Sequence, residues 1–207
     1  MGESVATKRE NPILQLVREE PLVFKSSMSQ EKLHRFVLAN PDLKIERDKL
    51  GVITIHPPMT FDSGYYEGEA FRMLANWAKA NKTGKAFSPS TSFDLPDGSE
   101  YKADGAWISN EKISRLSEEE RKHIAAIVPN FVMEVRSESD RLVKLKKKMT
   151  DAWLDNGVNL AWLIDPIKQK AWVYRPGAPV EEIDNFEQVL NGENVLPGFE
   201  LDLKELK

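Results

Sequence analysis

The sequence predicts a mixed α/β fold, and three observations carry that expectation. Apolar residues recur at helical spacing in some stretches and as short extended runs in others. Residues 130–165 read as strand, helix, strand, and a crossover of that length allows the two strands to pair in parallel. Residues 85–109 read as a meander of short strands with Asp97-Gly98 as a hairpin turn.

Taken in order, residues 1–27 read as an N-terminal extension whose order the sequence leaves open, and residues 28–207 as the folded domain. A first helix is expected after Ser29, which suits an N-cap, with Leu33, Phe36, Val37 and Leu38 near one face. Asn40-Pro41-Asp42 ends it. Two short strands follow in LKIERDKLGVITIHPP, and Pro57-Pro58 stops the second. A helix from about Ser63 to Ala80 places Ala70, Phe71, Leu74, Trp77 and Ala78 at helical spacing, and Thr83-Gly84 closes it. Beyond the meander, Ser117 and Glu120 make a capping box for a short helix. FVMEVRS is a strand, and a helix from about Asp140 to Asp155 ends at Asn156-Gly157. VNLAWLIDP and KQKAWVYRPG form a hairpin across Asp165-Pro166, and the tail supplies edge strands and a docking segment.

The totals bound the function. With 207 residues the chain suits one domain, and 41% hydrophobic with 30% charged residues reads as globular. The absence of cysteine removes disulfides, zinc thiolate sites and cysteine nucleophiles, and agrees with a cytoplasmic protein. No apolar run approaches the ~18 residues of a membrane helix, and the N-terminus lacks a signal peptide's apolar core. The net charge of −4 means that any nucleic-acid contact must rest on local patches. The five tryptophans sit among apolar neighbours and read as core. His34, His56 and His123 show no metal-ligand spacing and receive no role, and no histidine accompanies Ser90, Thr91, Ser92 and Asp94 to suggest a hydrolase triad.

The chemistry starts at Glu134, which interrupts an apolar strand. Alternation puts Val132, Glu134 and Arg136 on one face and Phe131, Met133 and Val135 on the other. A buried carboxylate must be paired, bound to metal or protonated; the plain alternative is a Glu134–Arg136 pair facing solvent. YKADGAWIS reads as a second strand, with Asp104 on the face of Lys102 and Ala106. Carboxylates on neighbouring strands can converge on a hard cation such as magnesium, which stabilises charge at a phosphoryl centre and acidifies a water. A lysine would complete such a site, but position 136 holds arginine, which stays protonated and cannot serve as a base. The next helix offers Lys144, Lys146, Lys147 and Lys148 beside an apolar stripe of Leu142, Leu145, Met149, Ala152 and Trp153. At about 100° per residue Lys147 points away from the stripe, while Lys148 borders it on one side together with Lys144, Lys146 borders it on the other, and Lys148 can reach the strand edge. The alternative reading of the lysine run is a solvated helix face.

These residues carry a family resemblance. PDGSEYKADGAWIS followed by PNFVMEVRSESDRLVKLKKKMTDAWLDNGVNLAWLIDP resembles the bacterial family labelled "putative restriction endonucleases", a domain of unknown function assigned to the PD-(D/E)XK nuclease superfamily. The likeness runs from about Met28 to the C-terminus. It implies a restriction-endonuclease-like core, a mixed sheet flanked by helices with a metal site at the sheet edge. It assigns Asp104 to the PD motif, Glu134 to the (D/E)XK motif and Lys148 to the family's helix lysine, with Lys144 and Lys147 as register alternatives. Glu46, Glu67 or Glu69 would supply a further carboxylate. Asp104 and Glu134 would hold Mg2+ or Mn2+, and DNA would be the substrate of a phosphodiester hydrolase. A homodimer is expected by analogy with the fold's usual use on duplex DNA. Ala103 stands where the superfamily has proline, and Arg136 where it has lysine. The second departure keeps two further readings in view: a degenerate nuclease fold that binds nucleic acid or protein, and an assembly module whose carboxylates only form ion pairs.

Overall fold

The computed structural model describes residues 11–18 and 20–207. The order of residues 1–10, part of the expected extension, lies outside the described residues. In chain order the elements are α1 (Pro12–Leu16), β1 (Leu22–Lys25), α2 (Gln30–Ala39), β2 (Lys44–Arg47), β3 (Val52–His56) and α3 (Phe61–Asn81). There follow β4 (Gly84–Phe87), β5 (Ser92–Asp94), β6 (Glu100–Lys102), β7 (Gly105–Ser109), α4 (Asn110–Ile113), β8 (Ala125–Ala126), β9 (Phe131–Val135) and α5 (Leu142–Lys148). The chain ends with β10 (Leu160–Asp165), β11 (Lys170–Tyr174), β12 (Glu181–Ile183), β13 (Val189–Asn191), β14 (Glu200–Asp202) and a 3-10 turn at Leu203–Leu206.

Two six-stranded sheets and a two-stranded β13-β14 ribbon organise the described residues. One runs β1-β3-β2-β6-β5-β8 and the other β12-β11-β10-β9-β7-β4. The strand–helix–strand unit pairs as expected: β9 and β10 are parallel, with Glu134 opposite Leu163. β10 and β11 form the expected hairpin. Helices cover both faces of the second sheet. Ala70, Leu74 and Ala78 of α3 pack with Phe131, Met133, Val135 and Trp162 on one side, where Leu203 and Leu206 also dock. Met149 and Trp153 pack against Val132, Ala161 and Leu163 on the other. A separate core under the first sheet joins Val17, Leu33 and Val37 to Ile45, Ile53 and Ile55. No helix among the described residues is long and apolar enough to cross a membrane.

Several expectations need correction. The meander is not one sheet. β5 and β6 do form a hairpin through Gly98, whose φ of 81° suits glycine, but β4 pairs with β7. The stretch read as one strand, YKADGAWIS, breaks at Ala103-Asp104: β6 belongs to the first sheet and β7 to the second. Leu38 is 58% exposed, because α2 is covered on one side only and its buried stripe is Leu33 and Val37. The Ser117–Glu120 capping box closes reciprocally, with bonds of 2.8 and 3.2 Å, but caps a single 3-10 turn, Glu120–Lys122.

Candidate active site

Each charged side chain reaches the site for a local reason. Alternation along β9 turns Glu134 to the same side as Val132, and helix α5 with its continuation covers that side. Glu134 is therefore only 1% exposed, and the solvent-facing alternative for it does not hold. The helix continues beyond Lys148 as a π-helical segment, Met149–Leu154. Asp155 N–H bonds Thr150 O at 2.9 Å and Val158 N–H bonds Trp153 O at 3.1 Å, both across five residues. Such π segments are frequent at functional sites. From it Trp153 Nε1 donates to Glu134 Oε1 at 2.9 Å.

Lys148, at the last α-helical position, brings Nζ to 2.8 Å from Glu134 Oε1 and 2.8 Å from Glu46 Oε1. It also donates to Lys102 O at 3.1 Å. Glu46 comes from β2, where Glu46 Oε2 lies 2.9 Å from His56 Nε2 of β3. Asp104 sits where the chain passes from one sheet to the other. Its Oδ2 accepts from Val135 N–H at 2.8 Å and its Oδ1 from Lys44 Nζ at 2.7 Å. Glu67, on α3, comes within hydrogen-bonding reach of Asp104.

The electrostatics follow from burial and from which lysine faces which carboxylate. Burial pushes the Glu134 carboxyl up, Lys148 pulls it down and Asp104 adds repulsion, leaving it at about 7. Burial raises Glu67 further, to about 8, helped by the Asp104 charge. Burial also opposes the charge on Asp104, but Lys44 and then Lys148 more than offset it, so its pKa falls below the usual carboxylate range. The same contest drops Glu46 well below that range, through Lys148 and His56. Both lysines stay protonated: burial works against their charge, while Asp104 holds Lys44 and Glu134 holds Lys148 above the usual lysine range.

The structure therefore brings together Asp104, Glu134 and Lys148, and of the three further carboxylates it adds Glu46 and Glu67. Glu69 instead pairs with Arg72 at 2.7 Å along the helix. Lys147 is solvated and pairs with Asp151 at 3.4 Å, and Lys146 lies over the Trp172 ring at 4.0 Å. Lys144 is exposed. Arg136 does not approach Glu134; its Nη1 bonds Asp165 Oδ2 at 2.8 Å. Sequence reasoning missed Lys44 and His56. Lys44 alternates with Ile45 and Glu46, the period-two signal that exposed Glu134. His56 carries no such signal, because its partner Glu46 is reached only through the β2–β3 pairing.

Among the described residues no three His, Asp or Glu side chains stand arranged round one metal position. Asp104 is engaged by Lys44, and Glu134 by Lys148 and Trp153. The donor chemistry nevertheless fits a hard divalent cation, which takes carboxylate oxygens and retains waters. Burial and the neighbouring Asp104 charge keep a proton on Glu67 near neutral pH, and a cation between the two carboxyls would take the place of that proton.

Residues 30–204 match the family described as "Putative restriction endonuclease" (Uma2). A crystal structure of "a putative nuclease belonging to DUF820" from Anabaena variabilis superposes with a TM-score of 0.66 at 22% identity, over 78% of this chain and 88% of that one. A likeness at that identity shows the fold. A cryo-electron-microscopy structure of a DrdV–DNA complex aligns at a TM-score of 0.37 and 14% identity, over 56% of this chain and 10% of that one, too slight a likeness to argue from. No curated protein matches.

Proposed function

This chain belongs to the "Putative restriction endonuclease" family, and from that premise we propose that it is a metal-dependent nuclease hydrolysing phosphodiester bonds of DNA through Asp104, Glu134 and Lys148. The observation that carries the reading is Lys148 Nζ, held 2.8 Å from Glu134 beside Asp104. A lysine from the helix thus stands where Arg136 cannot act. Asp104 and Glu134, with Glu67 nearby, would hold Mg2+ or Mn2+. When bound, that cation neutralises charge at phosphorus and acidifies a water.

The protein's own groups divide the remaining work. A water oxygen adds to phosphorus, one ester P–O bond breaks, and the departing oxygen takes a proton from solvent. Glu134, held by Lys148 and Trp153, would orient the attacking water, whose proton passes to solvent. Lys148 stays cationic and stabilises the extra negative charge at phosphorus. Lys44 neutralises Asp104.

The test is cleavage of plasmid and single-stranded DNA with Mg2+ or Mn2+, wild type beside Glu134→Ala. Nicking by wild type alone supports the nuclease. The second reading, a binding module that no longer cleaves, is favoured by the arginine at the motif position and its engagement with Asp165; retained DNA binding without cleavage would select it. A cytoplasmic homodimer belongs to the same proposal, and a monomer in sedimentation at working concentration would contradict the dimer.

A further inference from the structure

A cleft of about 480 Å³ opens beside the candidate site, with Glu46, Tyr101 and Lys148 among its lining residues. Its two walls differ in charge. On one, Arg141, Lys144 and Lys148 follow each other at helical spacing along the start of α5 and its whole length, while Asp140 before them is held by the Ser137 N–H and hydroxyl. Positions i, i+3 and i+7 share one helix face, and the row spans about 10 Å along the axis. Lys147 of the same helix is drawn off to Asp151. The facing side carries Asp48 and Asp97, whose carboxylates are held in turns by the backbone N–H groups of Leu50, Val52 and Ser99. Lys49, also on that side, pairs with Asp155 at 3.8 Å.

A phosphate backbone fits the basic wall and is repelled by the acidic one. The two strands of a duplex would press one backbone against each wall. The volume is that of a small-ligand site, in the range of roughly 300–1,000 Å³, and not that of a double helix. The candidate groups lie deep: the Glu46, Glu134 and Lys148 side chains are 5%, 2% and 10% exposed. Tyr101 lines the cleft beside Lys148, whose Nζ lies 5.4 Å over its ring, so the ring adjoins the lysine that a phosphate would approach.

We propose that this cleft takes one unpaired DNA strand, its phosphates along Arg141, Lys144 and Lys148 and its bases turned toward Asp48 and Tyr101. The site then selects single-stranded over duplex DNA. The inference rests on the nuclease reading above.

The experiment uses the full chain and one labelled oligonucleotide, single-stranded or annealed to its complement. Cleavage is followed with Mn2+, and binding by anisotropy without metal, for wild type, Lys144→Glu and Glu134→Ala. The expected result is cleavage of the single strand at least about tenfold faster than the duplex, with Lys144→Glu weakening single-strand binding about tenfold. Glu134→Ala should bind the strand without cutting it. Equal or faster cleavage of the duplex overturns the inference and leaves the nuclease intact. Single-strand binding that depends on Lys144, with no cleavage of either substrate, supports the cleft and overturns the nuclease reading. Binding unaffected by Lys144→Glu in a variant with native circular dichroism overturns the assignment of the basic wall.

Discussion

Asp104 accepts a hydrogen bond from the backbone N–H of Val135 at 2.8 Å, so the carboxylate of one strand junction is tied to the residue next to Glu134. The two acidic groups are thereby held in fixed relation by the backbone itself. Lys44 occupies the other oxygen of Asp104 at 2.7 Å.

Asp104→Asn keeps an oxygen that can accept from Val135 N–H but discards the charge. Its stability should fall by about 1–3 kcal/mol, because the new amide NH2 faces the Lys44 ammonium where a carboxylate oxygen accepted from it. Metal-dependent cleavage should fall by at least about a hundredfold. Full activity in kinetic assays would remove Asp104 from the site.

Lys148→Met leaves Glu46 and Glu134 buried without their shared cation. Breaking a buried ion pair on one side costs about 3–5 kcal/mol, and denaturant unfolding should show a loss of that order. Adding Glu134→Gln should return part of it, since one buried charge then disappears. A loss below about 1 kcal/mol would mean that Lys148 does not neutralise the pair.

Arg136→Lys restores the motif residue by name but not by position. Arg136 is held by Asp165, which is fully buried, and a lysine lacks the fork that fits a carboxylate. Cleavage should not rise, and stability should drop by about 1–3 kcal/mol. A gain in turnover would show that position 136 reaches the reacting phosphate.

Glu100 of β6 is buried with no hydrogen bond to either carboxylate oxygen. Burial raises its pKa from 4.5 to about 7, with the Asp94 charge adding to the rise while Arg47 and Lys102 oppose it. His34 Nε2 lies 3.3 Å away, yet burial lowers its own pKa. A carboxyl raised in the fold contributes stability at low pH that is lost as pH climbs through about 7. Glu100→Gln should therefore gain stability on the order of 3 kcal/mol at pH 8 and none at pH 4. Equal unfolding midpoints for the two proteins at pH 8 would show that Glu100 is solvated or paired.

Local pattern alone determined much of this protein. The phase of α5 turned Lys147 from the core and left Lys144, Lys146 and Lys148 beside it, and the upstream carboxylates with the family resemblance chose Lys148. The break in an apolar alternation singled out Glu134, and the length of the 130–165 crossover anticipated the parallel pair. The turn residues placed the hairpins at Gly98 and at Asp165-Pro166.

Other features were decided only by tertiary structure, through contacts between segments far apart in sequence. Residues 100–109 pass from one sheet to another because β2 claims β6 while β4 and β9 claim β7. That switch, invisible in alternating sequence, sets Asp104 between Lys44 and Val135. Glu46 and Lys148 are 102 positions apart and meet only because the first sheet abuts the helix covering the second. Arg136 stands two residues from Glu134 on the same strand face, yet buried Asp165 takes it at the sheet end. A buried charge goes to the partner that the assembled fold leaves within reach, and only packing determines which partner that is.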